Sequence, residues 1–127
     1  MGGIVRLDGA GQIKMATLDE AAAQIQRLHG IVEQMAIAQK NAKPTQGYGM
    51  QMRRAAAPLV GLLKGQFGFL ADQVTAFILV ATRGGGSDQM KIRALREQVA
   101  LLRQAIEIAI NKVKEQHALK AEAETAE

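Results

Sequence analysis

Apolar residues recur at alternating spacings of three and four along three stretches of this chain, and polar residues fill most positions between them. The stretches cover residues 18–35, 60–77 and 92–113. This spacing places the apolar side chains on one side of an α-helix, which must pack against other helices to bury them. The pattern therefore predicts an all-α fold, an antiparallel three-helix hairpin bundle with coiled-coil-like heptads.

The first helix has sequence signals at both ends. Thr17, followed three residues later by Glu20, forms a capping box and predicts the start of the helix. Pro44 predicts the end near Lys43, because the residue before a proline is disfavoured in the helical conformation. The first helix is therefore expected to cover residues 17–43.

The second and third helices are separated by the glycines at 84–86. The second helix is expected to begin within 46–50 and to run to these glycines, with Pro58 either kinking it or dividing off a short N-terminal piece. Ser87 predicts the N-cap of the third helix, which the apolar stripe extends to about His117. Long helices joined by short turns are expected to pack antiparallel.

The chain divides into a leader, a bundle and a tail. Residues 1–16 contain short β-favouring runs around a glycine-rich turn, which favours a small β-hairpin, unless the native chain begins near Met15. Residues 17–117 form the predicted bundle. Residues 118–127 form an acidic tail, either a helical extension or a disordered segment.

Composition narrows the class of protein. The chain has 127 residues, which is the size of one domain with its own core. It contains no cysteine, which excludes disulfide bonds and zinc–thiolate sites and fits a cytoplasmic protein. The segment 59–82 is long enough to span a bilayer, but Lys64 and Asp72 in its middle make insertion costly. No secretory signal is recognisable in residues 1–15.

The second helix carries apolar residues outside its main stripe, and the third helix repeats this more weakly. Two partner helices from the same chain leave part of the second helix uncovered. The surplus therefore favours completion of the bundle by homo-oligomerisation, although a compact three-helix core could also cover these positions. The large residues expected at the oligomer interface are Leu62, Phe69, Leu79, Leu101 and Ile108.

Glycines in the second helix indicate a close approach of another backbone. Gly61, Gly65 and Gly68 each cost helix stability relative to alanine unless tight packing compensates for it. Together with Ala57 they form a track of small residues, which we expect at the same interface between subunits. The alternative is a loosely packed or bending helix beside Pro58.

Basic residues are concentrated in three segments that a three-helix hairpin brings to one pole: the end of the first helix, the start of the second and the end of the third. The whole chain has 16 Lys and Arg against 12 Asp and Glu. Such a pole could bind nucleic-acid phosphates, anionic membrane or an acidic partner, or could simply complement helix dipoles. The residues of this possible anion-binding pole are Lys40, Lys43, Tyr48, Arg53, Arg54, Lys112 and Lys114.

No combination of residues in the sequence predicts catalysis, a cofactor or a metal site. His29 and Glu33 are one helical turn apart, but two ligands do not make a metal site. The glycines before Ser87 lack the strand and the lysine of a phosphate-binding loop. Asp72 has no second catalytic group placed beside it by the sequence.

The sequence therefore predicts a non-enzymatic, self-associating helical protein that acts as a scaffold, adaptor or structural subunit. Its main partner would be itself, with another helical protein as a further possibility. The alternative is a nucleic-acid-associated protein that binds through the basic pole. A third interpretation is attachment to an anionic membrane through that pole together with exposed Tyr48, Met50 and Met52.

Overall fold

The computed structural model describes residues 6–119 of the chain. This part is all-helical, as predicted, but it contains four helices where the sequence predicted three. The helices are α1 (Gly9–Lys40), α2 (Tyr48–Lys64), α3 (Gly68–Thr82) and α4 (Asp88–His117). The prediction of a single long second helix is wrong, because that segment forms two helices, α2 and α3.

A tight turn at residues 65–67 folds α3 back along α2. A Cβ added at Gly49, at the start of α2, would clash with the carbonyl oxygen of Ala81, at the end of α3, so a side chain at position 49 has no room. The turn is closed by the amide of Phe67, which donates to the carbonyl of Leu63 at 2.7 Å. The two helices thus form an antiparallel αα-hairpin. Pro58 lies inside α2 and does not end it.

The long helices α1 and α4 run antiparallel to each other. Glu33 of α1 pairs with Arg96 of α4, and Gln26 accepts a hydrogen bond at 2.7 Å from Arg103, so residue numbers rise on one helix as they fall on the other. The α2–α3 hairpin completes the bundle, with α2 against α1 and α3 against α4. The chain therefore alternates in direction through four neighbouring helices.

This topology gives the molecule two different ends. At the loop end, residues 41–47 connect α1 to α2 and residues 83–87 connect α3 to α4. At the terminal end, Leu7 and Ala118 form an isolated antiparallel bridge. The amide of Asp8 donates to the carbonyl of His117 at 3.0 Å, which ties the start of α1 to the end of α4.

All four helices contribute to one core of apolar side chains, and no polar or charged residue among 6–119 is buried. The predicted stripes on α1 and α4 do face this core. On α2 and α3 the stripe is partly reproduced, since Leu63, Leu70, Val74 and Phe77 are buried, whereas Val60 and Phe67 are only partly buried. The buried residues of the hairpin are Met52, Ala56, Leu59, Leu63, Leu70, Ala71, Val74, Phe77 and Ala81.

The start of α1 also differs from the prediction. Asp8 is the N-cap, and its carboxylate accepts from the amide of Gly11 at 2.7 Å. Thr17 lies inside the helix, where its hydroxyl donates to the carbonyl of Ile13. The predicted capping box at Thr17 is therefore wrong, and the hairpin predicted for residues 1–16 is replaced by helix from Gly9 onward. Residues 1–5 lie outside the described part of the chain.

The N-cap of α4 agrees with the prediction. The hydroxyl of Ser87 accepts from the amide of Met90 at 3.1 Å. Gly85 and Gly86 have positive φ angles of 80° and 76°, which explains why glycines separate α3 from α4. Helix α4 ends at His117, as expected, and most of the predicted acidic tail, residues 120–127, lies outside the described residues.

Candidate functional site

Large apolar side chains are exposed on the outer surfaces of α3 and α4. Phe69 and Leu79 on α3 are 71 % and 61 % exposed, and Leu101 and Ile108 on α4 are 48 % and 50 % exposed. We call these four residues the α3–α4 face. All four belong to the interface predicted from the sequence, and the four-helix core leaves them uncovered.

Helical spacing shows where Phe69 of α3 and Leu101 of α4 lie relative to each other. Val80 of α3 lines a groove together with Met90 and Ala94 of α4. Phe69 precedes Val80 by three helical turns and so lies on the edge of α3 that faces α4. Leu101 follows Ala94 by two turns, which places it on the edge of α4 that faces α3. Phe69 and Leu101 therefore lie on facing edges of α3 and α4. Leu79, ten residues after Phe69, is rotated from it by about 80° around α3, toward the side away from α4.

The other predicted interface residues lie on different surfaces. Leu62 lines a shallow groove with Thr17 and Glu20 of α1. Gly61 lies on α2, and Gly65 and Gly68 flank the turn; a Cβ added at any of these glycines would meet no atom within 4 Å in the described chain. The predicted interface residues are thus split over several surfaces of the bundle.

Basic side chains are concentrated at the loop end. The single acidic residue in the connections and first helical turns there, Asp88, accepts a hydrogen bond from the hydroxyl of Thr45 at 2.6 Å. None of the basic residues at this end has a carboxylate of residues 6–119 within 4 Å. We call this set the basic end; its members are Lys40, Lys43, Arg53, Arg54, Arg83, Lys91 and Arg93.

The predicted anion-binding pole is only partly reproduced. Lys40, Lys43, Arg53 and Arg54 do lie together near the loop end, but Lys112 and Lys114 lie near the terminal end. The reason is the extra helix, which reverses the direction of the last helix relative to the prediction. Tyr48 is half-buried against the core, so its ring is less available for stacking than expected.

Sequence reasoning missed part of the basic end. Arg83, Lys91 and Arg93 join it because α3 ends and α4 begins at the loop end. Their position depends on the number of helices, which the apolar stripes alone misjudged. The same end carries the exposed apolar residues Ile37 and Met90.

The methionines of α2 were also predicted with only partial success. Met50 is exposed near the loop end, in agreement with the prediction of an exposed methionine there. Met52 was expected to be exposed as well, but it is fully buried, because its position on α2 faces the core.

An ion pair links α1 and α4 closer to the loop end than to the terminal end. Arg96 donates to both carboxylate oxygens of Glu33, at 2.8 and 2.9 Å. The hydrogen bonds from Arg96 lower the pKa of Glu33, and the same contact raises the pKa of Arg96. His29 Nε2 lies 3.8 Å from Glu33, so the predicted neighbours of α1 do approach each other.

A second polar cluster lies at the terminal end. His117 Nδ1 is 3.1 Å from Asp8 Oδ1, and His117 Nε2 is 3.3 Å from Lys14 Nζ. Because a lysine ammonium group can only donate, Nε2 is the acceptor and Nδ1 carries the proton donated to Asp8. The pKa of Asp8 is lowered, first by the amide of Gly11 and further by His117.

Comparison with known proteins gives no relative for this chain. No protein-family model, no curated protein and no solved structure matches it. Within residues 6–119, no three His, Asp or Glu side chains come together as a group able to hold a metal ion. Over the same residues, no helix combines the length and the apolar character needed to cross a membrane.

Proposed function

We propose that this protein is a non-enzymatic helical bundle that associates with a second copy of itself and acts as a scaffold, adaptor or structural subunit. The observation that carries this proposal is the α3–α4 face, where four large apolar side chains remain exposed on a chain whose core is already enclosed. Phe69 and Leu101 lie on facing edges of the two helices, and exposed apolar surface of this kind is typical of protein-binding sites.

The four-helix core changes the role that the second copy plays. The sequence suggested that a partner completes an unfinished core, whereas the described helices bury their own core residues. In the proposed dimer, the partner covers a surface and the monomer retains its fold. A substitution in the α3–α4 face should therefore separate the subunits without unfolding them.

The test is the mass of surface variants in solution. We expect wild-type protein to be larger than a 13.6 kDa monomer in sedimentation velocity, and Phe69→Glu and Leu79→Glu to move it toward the monomer mass. Ile13→Glu is the matched control, because Ile13 is 62 % exposed, much like Leu79, but lies on α1. Circular dichroism should be unchanged for all three variants. A monomeric wild type at every concentration would refute the proposal.

A second candidate function is binding of an anionic phospholipid surface by the basic end. The cations there lack carboxylate partners among residues 6–119. Exposed Ile37 lines a groove with Lys40 and Arg93, exposed Met90 lines one with Arg83 and Lys91, and exposed Met50 lies on the first turn of α2 at the same end. Lipid headgroups attract the cations, and the apolar side chains enter the interface. A nucleic-acid backbone would use the cations but not the apolar residues.

Vesicle sedimentation distinguishes these ligands. We expect binding to phosphatidylcholine vesicles that contain about one-third phosphatidylserine, no binding to pure phosphatidylcholine, and loss of binding at high salt. Met90→Ser should weaken vesicle binding, while Arg53→Glu with Arg54→Glu should abolish it. Binding to a DNA duplex that Met90→Ser leaves unchanged would instead support the nucleic-acid alternative and contradict the membrane candidate.

A further inference from the structure

Helix α3 carries a second heptad-like stripe on the side away from the core. Phe69, Asp72, Ala76, Leu79 and Arg83 follow one another at spacings of three, four, three and four. Phe69, Asp72, Leu79 and Arg83 are exposed, and Ala76 is partly buried. This spacing is the pattern by which one helix packs lengthwise on another, yet no other helix among the described residues covers it.

We infer that this stripe pairs with the same stripe of a second copy, antiparallel, about a two-fold axis that places Asp72 of each copy beside Arg83 of the other. The inference rests on the proposed self-association and specifies the contact and its register. Asp72 and Arg83 are the only charged residues of the segment 68–83. They lie toward opposite ends of the stripe.

The charges select the antiparallel direction. A parallel pair of α3 helices would bring Asp72 against Asp72 and Arg83 against Arg83, which is repulsive at both ends. An antiparallel pair joins opposite charges twice, since every contact of a two-fold interface occurs in two symmetric copies. The macrodipoles of two antiparallel helices also oppose each other favourably.

The charges also set the register. When Asp72 lies opposite Arg83 of the second copy, Ala76 lies opposite Leu79 of that copy. The small side chain leaves space for the leucine, twice across the axis, as in the packing of knobs into holes. Phe69 then reaches past the end of the opposite α3, over its glycine-rich connection at 84–86.

The area that this contact can bury limits the affinity of the dimer. A helix of 15 residues is about 22 Å long. Even with Leu101 and Ile108 at its edge, we expect a contact of this length to bury less than the roughly 800 Å² per partner of a standard stable interface. We therefore expect a dimer that dissociates on dilution, and its dissociation constant is the quantity to measure.

One competing explanation involves a single chain only. Asp72 lies near the N-terminus of α3 and Arg83 directly follows its last residue, so both charges complement the dipole of their own helix. In that case reversing either charge would lower the free energy of unfolding of the bundle without altering the mass of the assembly in solution. Reversing both charges would then give the least stable protein.

Charge exchange separates these explanations. Asp72→Arg and Arg83→Asp should each raise the dimer dissociation constant by about tenfold or more, because each puts like charges together at two symmetric sites. The double variant restores opposite charges and should return the constant close to that of the wild type. Sedimentation velocity over a dilution series, at low and high salt, measures this, and thermal unfolding of the same samples measures stability.

The matched control reverses charges on α1. Asp19 and Arg27 are exposed and have no ion pair among the described residues, so Asp19→Arg with Arg27→Asp should leave the constant unchanged. If the single variants lose stability but keep the wild-type dissociation constant, the inferred register is wrong. If Leu79→Glu still dissociates that dimer, self-association stands. A wild type that remains monomeric overturns both proposals.

Discussion

Among residues 6–119, Asp8 combines more interactions than any other carboxylate at the terminal end. It caps α1 through the amide of Gly11, and its side chain accepts from His117 of α4. Lys14 on α1 contacts the other nitrogen of the same imidazole. A single acidic residue therefore fixes the start of one long helix and links it to the end of the other.

Substitution of Asp8 should change how stability depends on pH. Because the pKa of Asp8 is lowered from 3.8 in the folded state, the carboxylate stabilises the fold above that value, and the contribution is lost as pH falls through the lower folded pKa. Asp8→Asn retains a capping side chain but has no charge, so its free energy of unfolding should vary less with pH in this acidic range.

Asp8→Ala should lose the cap as well and be less stable than Asp8→Asn at neutral pH. Urea unfolding from pH 3 to pH 7 measures both effects, and equal curves for wild type and Asp8→Asn would contradict the assigned role.

At the scale of the elements, the α2–α3 hairpin is where structure and sequence disagree. The apolar stripe over residues 60–77 passes through the turn without a change of spacing, so the periodicity predicted one helix. Gly65 and Gly68 at the turn were the available signal, but we interpreted them as an interface track. By contrast, α1 and α4 have no internal turn, and their stripes correctly identified the buried positions. Local spacing defines the face of a helix, whereas a reversal of direction depends on tertiary contacts.

Two glycines of α2 test the hairpin directly. A Cβ added at Gly49 would clash with the carbonyl oxygen of Ala81 on α3, so Gly49→Ala should destabilise the fold by about 1–3 kcal/mol through overpacking. A methyl group added at Gly61 would meet no atom within 4 Å, so Gly61→Ala should stabilise the fold by about 0.5–1 kcal/mol through helix propensity. The free energy of unfolding in urea measures both. In one uninterrupted helix Gly49 would not meet Ala81, and a stabilising Gly49→Ala would count against the hairpin.

At the scale of the whole molecule, the number of helices decides where the charges lie. An even number brings the end of α4 back to the start of α1, and so moves Lys112 and Lys114 away from the basic end. Of the predicted pole, Lys40, Lys43, Arg53 and Arg54 lie at the loop end as expected. Lys112 and Lys114 do not, because their position depends on the direction of the last helix. The exposure of Phe69, Leu79, Leu101 and Ile108 was easier to predict, because apolar residues outside the core stripe remain outside it whichever way the helix runs.

Distances between spin labels measure this arrangement in solution. The chain has no cysteine, so Lys40→Cys with Lys112→Cys creates two unique labelling sites at exposed positions. Lys40 and Gln89 line the same groove between α1 and α4, and Lys112 is 23 residues further along α4 than Gln89, which corresponds to about 35 Å. The Lys40→Cys, Gln89→Cys pair is the control and should give a short distance. Dilution with unlabelled protein removes distances between subunits, and a short distance for the 40–112 pair would favour three helices over the four-helix topology.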